Sequence, residues 1–127
     1  MSALVLDAGA LVAVDRGDRS MIARLRIAAQ HGFELRTNAM VIAQVWRDAR
    51  GRQAQLAQLL QAVDIRPVSR TDGEQAGLLL AAAGTSDPVD ATVVLLARAG
   101  DRIITSDVGD LSRLASAAAT GCVIVNC

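Results

Sequence analysis

The sequence predicts an α/β protein with a mostly parallel central sheet that is covered by helices on both faces. Short aliphatic runs alternate along the chain with longer segments whose apolar residues recur at helical spacing. Of the 127 residues, 52% are hydrophobic and 20% are charged, so the chain can bury a core and wholesale disorder is excluded. No linker or repeat divides the sequence. We therefore expect residues 1–127 to form one domain.

Five strands and seven helices alternate in this prediction. β-Branched and aliphatic runs indicate the strands, expected as the ALVL segment before Asp7 and over residues 33–36, 65–68, 102–105 and 122–125. Periodic apolar residues and flanking glycines indicate the helices, expected over about residues 8–14, 20–31, 38–50, 53–62, 71–84, 88–100 and 107–119. Pro67 lacks a backbone donor, which favours an edge position for the third strand.

Helix starts are marked by side chains that accept hydrogen bonds from backbone N–H groups. Asp87 stands before Pro88, a proline at the first helical position. The segment T-D-G-E at 71–74 has the capping-box pattern. The other expected caps are Ser20, Thr37 or Asn38, and Ser106 or Asp107.

Charge and composition exclude several classes of protein. The 13 basic and 13 acidic residues cancel, but residues 1–63 carry a net charge of +3 and residues 64–127 a net charge of −3. This asymmetry suits neighbouring phosphate and cation sites, and it also fits ordinary surface charge. Every basic residue is Arg, which excludes mechanisms that need a Lys ammonium. We expect no membrane segment and no signal peptide, because the apolar stretches are short and no basic region leads into one.

The two cysteines, Cys122 and Cys127, are not expected to form a disulfide. Their odd spacing places them on opposite faces of a strand. They also form no metal-binding motif. We therefore expect a reducing, cytoplasmic location for this protein.

Polar residues follow three of the predicted strands, at the edge where open α/β sheets bind their ligands. These residues are Asp7, Thr37, Asn38, Ser106 and Asp107. Asp90 and Asp110 extend the set, because each lies three residues after another Asp and shares a helix face with it. Acids gathered in one cleft repel one another. Mg²⁺ or Mn²⁺, which prefer oxygen ligands, would supply the counter-charge.

Some of these acids also have a purely structural interpretation. Asp87 and Asp107 are good helix caps, and Asp110 favours a helix N-terminus through its charge. Asp7 is different, because a carboxylate that ends a fully apolar strand needs a buried partner. Asp90 precedes an apolar helix, where a smaller or neutral side chain would pack more easily. Asp7 and Asp90 therefore carry the functional argument.

Four segments together resemble the PIN domain, the nuclease fold of VapC-type toxins. They are LVLDAGALVAVD, AMVIAQVWR, SDPVDATVVLLA and IITSDVGDL, in the order and spacing of that family. The resemblance covers nearly the whole chain and implies a three-layer fold with a mostly parallel central sheet. It also implies that Asp7, Asp90, Asp107 and Asp110 hold the metal, with Asp7, Asp90 and Asp107 as catalytic residues.

One position departs from the family pattern. The family has Glu in an A-E-V motif where this chain has Gln44, and an amide contributes no charge. Asp87, one helical turn before Asp90, is a candidate for the missing acid, and Ser106 is a candidate for orienting Asp107 or a water. The departure leaves an alternative open, a PIN-fold binding module that acts through protein or RNA and has weakened catalysis.

The resemblance implies hydrolysis of RNA phosphodiesters with Mg²⁺ or Mn²⁺ as cofactor. It further implies a homodimer and a cognate antitoxin whose C-terminal segment covers the active cleft. The helices at 20–31 and 38–62 carry enough large apolar residues to supply a docking groove or a dimer contact beside the core. The arginines considered for flanking phosphates are Arg16, Arg19, Arg47 and Arg50.

Rival activities lack their key residues. Receiver-like phosphoacceptors and haloacid-dehalogenase phosphatases use an essential Lys, which this chain does not contain. The G-K-[ST] phosphate loop and the G-x-S-x-G elbow are absent as well. His31 is expected to lie at a helix C-terminus, and Trp46 is expected in the core or at an interface.

Overall fold

A five-stranded parallel sheet forms the centre of the molecule. The computed structural model describes residues 2–127, apart from the side chain of Ala49. The strands are β1 Ala3–Leu6, β2 Glu34–Asn38, β3 Asp64–Arg66, β4 Arg102–Thr105 and β5 Val123–Asn126. Their order across the sheet is β3, β2, β1, β4, β5, and every neighbouring pair is parallel. The predicted fold class is confirmed, and β3 lies at an edge as Pro67 indicates.

Two layers of helices cover this sheet. The helices are α1 Ala8–Asp15, α2 Arg19–Gln30, α3 Ala39–Val45, α4 Ala54–Leu60, α5 Arg70–Ala83, α6 Pro88–Val94 and α7 Val108–Ala118. A 3-10 turn at Ala49–Gly51 separates α3 from α4. Helices α1 to α4 pack together on one face, while α5, α6 and α7 pack together on the other. This division follows from right-handed crossovers that run first to one side of β1 and then to the other.

The apolar core lies on both faces of the central strands. All four residues of β1 are buried, because helices cover the strand from above and below. Leu6, Leu11, Ile103, Leu111 and Leu114 are among the fully buried side chains. The near-continuous aliphatic run of β1 is therefore what its central position requires.

The order of the strands creates one topological switch point. From β1 the chain moves outward to β2 and β3, and it then returns to place β4 on the other side of β1. The carboxyl ends of β1 and β4 therefore lie side by side with their following loops leading in opposite directions. In open parallel sheets this crevice is where ligands bind. Asp7 and the segment 105–107 lie there.

Asn38 and Asp87 cap their helices as predicted. The Asn38 side chain accepts hydrogen bonds from two N–H groups in the first turn of α3, both at 3.0 Å. Asp87 Oδ1 accepts from the Val89 N–H at 2.9 Å and from the Asp90 N–H at 3.4 Å. Pro88 occupies the first turn of α6, as predicted.

Two predicted caps are wrong by a short distance along the chain. Helix α2 is capped by Asp18 and not by Ser20, because the Asp18 carboxylate accepts the Met21 N–H at 3.0 Å. The capping box of α5 is formed by Ser69 and Asp72, which bond each other's backbone N–H groups, and not by the segment 71–74. In both cases a suitable acceptor occurs slightly earlier than the one expected.

Helix α6 ends at Val94, well before the predicted end at Gly100. The next backbone bonds are of the tighter 3-10 type, and Asp101 Oδ2 then accepts the Arg98 N–H at 2.9 Å. The other oxygen of Asp101 accepts the Ala3 N–H at 2.8 Å, so this buried carboxylate ties the turn to the start of β1. Gly100 makes the turn possible with a φ of 85°.

The predicted helix over residues 38–50 is wrong at its end, since α3 stops at Val45, and the other boundaries differ from the prediction by a few residues. Strands β2 and β5 each extend one or two residues further toward their carboxyl ends, and β3 ends before Pro67. Trp46 lies just past the end of α3 and packs against the core. Both cysteines are free thiols, as predicted. Among the helices of residues 2–127, none is both long enough and apolar enough to cross a lipid bilayer.

Candidate active site

Asp7 is held in place by a buried hydrogen bond at the carboxyl end of β1. Its side chain is 5% exposed, and its Oδ2 accepts a hydrogen bond of 2.7 Å from the hydroxyl of Thr105. The Asp7 N–H donates to the Ile104 carbonyl at 3.0 Å, which continues the β1–β4 ladder. The expectation that this carboxylate needs a buried partner is confirmed, and the partner is Thr105.

Thr105 connects the two strands that flank the switch point. Its hydroxyl donates to Asp7 and accepts the Asp107 N–H at 2.9 Å. The residue is fully buried at the end of β4. Thr105 was not singled out from the sequence. The signal was present, because a polar residue follows the apolar pair Ile103 and Ile104, just as Asp7 follows the apolar strand β1. Thr105 therefore fixes Asp7 and the start of α7 relative to each other.

Three carboxylates converge beside this bridge. Oxygens of Asp90, Asp107 and Asp110 lie within 4.8 Å of one another. Asp90 comes from the first turn of α6, Asp107 stands at the start of α7, and Asp110 lies in the first turn of α7. The structure thus brings together three of the four acids that the motif resemblance assigns to the metal.

Asp107 is not a capping side chain. It occupies the residue before α7, but its carboxylate accepts no hydrogen bond from the first turn of that helix. Its own N–H bonds Thr105, which leaves the exposed carboxylate available to the cluster. Among the described residues, the ion pair that Asp110 makes is a long, exposed one of 3.8 Å with Arg113. The structural interpretation is therefore weaker for Asp107 than for Asp87, which does cap its helix.

Asp90 is buried without a hydrogen-bond partner for one of its oxygens. The residue is 5% exposed, and its Oδ2 contacts no donor among the described residues. Burial is the main reason why the pKa of Asp90 is raised to about 8, and the adjoining Asp107 carboxyl and the charges of Asp87 and Asp7 raise it further. Asp90 thus has no positively charged partner among the described residues that would stabilise its ionised form.

The donor set fits a hard divalent cation. Carboxylate oxygens are the ligands that Mg²⁺ and Mn²⁺ prefer, and three of them are gathered here. The unpartnered Oδ2 of Asp90 is the atom whose burial a cation would compensate. Asp90, Asp107 and Asp110 are therefore the residues that can hold the metal. Asp7 is not part of this group, although its charge acts on Asp90.

The accessory candidates, Asp87, Ser106 and Gln44, differ in their contacts with the site. Asp87 caps α6 and also adds negative charge beside Asp90. Ser106 is exposed and packs against α1 at Gly9, where a Cβ would come within 2.7 Å of the Ser106 Oγ. Gln44 is exposed on α3, and no hydrogen bond among the described residues ties it to an acid.

The arginine, histidine and tryptophan candidates have mostly local contacts. The Arg47 guanidinium donates to the Ala43 and Trp46 carbonyls at the end of α3. His31 ends α2, where its Nδ1 lies 2.8 Å from the Ile27 carbonyl oxygen, and this confirms its predicted place. Arg16, Arg19 and Arg50 are exposed.

Comparison with known proteins gives a match in structure and none in sequence. No protein-family model matches the chain, and no curated protein matches it. Among solved structures, it is similar to a chain of VapBC2 from Rickettsia felis bound to a DNA fragment from their promoter. The two chains are 15% identical, with a TM-score of 0.72 over 100% of this chain and 99% of the other. The chain has a PIN-like fold.

We predict that Asp90→Asn stabilises the metal-free protein, and that the gain grows with pH. The pKa of Asp90 is raised in the folded state, so the stability that its proton confers is complete below about pH 4 and is lost as pH rises toward 8. Asparagine at position 90 does not ionise, so the variant does not lose this stability as the pH rises. Urea unfolding in EDTA should show a gain on the order of 1–3 kcal/mol at alkaline pH and little at acidic pH.

Asp18→Asn is the matched control, because Asp18 is an exposed cap and Asn caps equally well. Its effect on the free energy of unfolding should change little over the same pH range. A gain from Asp90→Asn that is independent of pH would contradict the proposed state of this carboxyl.

Proposed function

We propose that this protein is a metal-dependent endoribonuclease, the toxin of a toxin–antitoxin pair. In this proposal, residues 1–127 form a single PIN domain that works in the cytoplasm and hydrolyses RNA phosphodiesters. The observation that carries the proposal is the convergence of three carboxylates, one of them buried without a partner, at the switch point of the sheet. The fold shared with a VapBC2 chain supports the same activity.

In this proposal Asp90, Asp107 and Asp110 hold Mg²⁺ or Mn²⁺, with Asp7 beside them. The bound ion would supply Lewis-acid stabilisation of phosphate charge and a more acidic water. Asp7 has one oxygen engaged by Thr105, and its Oδ1 makes no hydrogen bond to another described residue. That oxygen is the acceptor we assign to orienting the attacking water. Thr105 keeps Asp7 and Asp107 in register as the substrate binds.

An antitoxin and a second copy of the chain are the proposed protein partners. The VapBC complex named above supports the antitoxin. A groove of about 500 Å³ lies between α2 and α4, with Ile22, Leu25 and Leu59 in its wall. Of these three residues, Leu25 is buried and also belongs to the core, while Ile22 and Leu59 are only partly buried. This groove is where we place the antitoxin.

The binding-module alternative rests on Gln44 alone. The three-carboxylate group forms without any contribution from α3, so a neutral residue at position 44 leaves that group intact. The catalytic proposal is therefore preferred. Absence of any metal-dependent cleavage would favour the binding module.

We predict that the purified protein cleaves RNA in the presence of Mn²⁺ and that Asp90→Asn and Asp107→Asn each abolish cleavage. Each change removes a carboxylate from the cluster while keeping its shape. Asp7→Asn should reduce cleavage by at least about 100-fold, the range expected for loss of a proton acceptor in the site. Gel analysis of total RNA, with and without EDTA, measures these effects.

Asp18→Asn again provides the control and should cleave like the wild type. Circular dichroism must show that every variant is folded. Wild-type cleavage by folded Asp90→Asn would show that the carboxylate cluster is not the active site.

A separate prediction concerns Gln44. If this side chain borders the cation, Gln44→Glu adds a negative charge nearby and tightens Mn²⁺ binding by about tenfold, the effect of roughly 1.4 kcal/mol. Calorimetric titration measures the affinity directly. An unchanged affinity would mean that position 44 does not contribute to the metal site.

A further inference from the structure

A second groove lies on the sheet face covered by α1 and α2. It has a volume of about 580 Å³, and its floor is formed by Leu4, Ile104 and Val125 from three neighbouring strands. The end of α2 and Phe33 form one wall. Two large apolar side chains on its border remain open, since Ile27 is 53% exposed and Val123 is 50% exposed. The site described above does not use this groove.

The charged residues that line the groove are all basic. Arg24, His31 and Arg102 line it, and its lining contains no Asp or Glu. Neither Arg24 nor Arg102 makes an ion pair with another described residue, whereas Arg36 and Arg66 are both paired with acids elsewhere. The groove therefore offers two guanidinium groups to an anionic ligand in a molecule whose net charge is zero.

An aromatic ring lies beside one of these charges. Phe33 is the single Phe of the chain, and the Arg102 guanidinium carbon lies 5.9 Å from the centre of its ring. Phe33 is only partly buried. An aromatic or guanidinium plane beside free cationic groups is the arrangement on which unpaired bases stack in single-stranded nucleic acid sites.

The groove extends toward the edge of the sheet where the acids lie. Val123 and Val125 lie on one face of β5, and Cys127 follows that strand at its carboxyl end. The Cys127 N–H donates to the Thr105 carbonyl at 3.0 Å, and the Thr105 hydroxyl in turn donates to Asp7. The strands that form the floor of the groove therefore lead to the strand ends that hold Asp7.

We propose that this groove binds single-stranded RNA, with phosphates on Arg24 and Arg102 and a base against Phe33. The inference rests on the proposed ribonuclease activity and assigns the path by which the substrate leads to its active site. An acidic peptide would match the charge as well. RNA is favoured because the groove combines unpaired guanidinium groups with a partly exposed ring, and because Ile104 in its floor accepts a backbone hydrogen bond from Asp7.

The test is the binding of a short fluorescein-labelled single-stranded RNA in EDTA, followed by fluorescence anisotropy. The double variant Arg24→Gln/Arg102→Gln should bind about tenfold more weakly. It should also lower the slope of log affinity against log salt by about 1.4, since each phosphate contact on a single strand contributes roughly 0.7. Phe33→Leu should weaken binding by about fivefold or more without changing that slope, because stacking is lost and no charge is removed.

Arg70→Gln is the matched control, since Arg70 is exposed on α5, on the opposite face of the sheet. It should bind RNA within twofold of the wild type. Thermal melting confirms that Phe33→Leu is folded. Unchanged RNA binding by both groove variants would overturn the proposal. So would a loss of binding to a synthetic Glu-Leu repeat peptide with RNA binding preserved, since the groove would then be a protein site.

Cleavage assays on the same variants separate this inference from the function on which it rests. If the wild type cleaves RNA in Mn²⁺ and the groove variants bind RNA normally, the groove proposal is rejected and the nuclease proposal stands. If the groove variants lose RNA binding but the wild type does not cleave RNA, the groove proposal stands and the nuclease proposal is rejected.

Discussion

The burial of the Asp90 carboxylate among other acids is the constraint on which the site depends. One of its oxygens has no hydrogen-bond donor among the described residues, and the charges around it are negative. An isolated buried carboxylate is unfavourable for folding, so it persists where a proton or a cation compensates it. Ala91, Val93 and Val94, the apolar residues that follow it in α6, are core residues that hold the helix start against the sheet. Packing thus enforces an electrostatic arrangement that is unfavourable without a ligand.

Hydrogen bonds from backbone and hydroxyl donors keep this arrangement together. Asp87 caps the helix that carries Asp90, and Thr105 joins Asp7 to the first residue before α7. Contacts separate the two acids that have a capping interpretation: the Asp87 side chain accepts hydrogen bonds from backbone N–H groups of its helix, and the Asp107 side chain does not. These contacts show which acids cap a helix and which join the carboxylate cluster. Residue type alone does not, because all of them are Asp.

The strands, the parallel class of the sheet and the acids near the strand ends could be predicted from the sequence, because aliphatic runs followed by polar residues mark them locally; the order of the strands was not predicted, since it depends on long-range pairing. The cap of α2 and the end of α6 could not, because they depend on competition between neighbouring acceptors and on the long-range bond between Asp101 and Ala3. Thr105 was missed because its role requires β1 and β4 to be adjacent. The basic groove requires residues from α2 and three strands, so no short motif encodes it.

The most direct test of the metal centre is the change in melting temperature on adding millimolar Mn²⁺. A ligand that binds only the folded state raises its stability according to its affinity. The wild type should gain several degrees, and Asp90→Asn should gain almost nothing, although it melts at a higher temperature in EDTA. An equal Mn²⁺-induced rise in Asp90→Asn would contradict the assignment of this buried carboxylate to the cation.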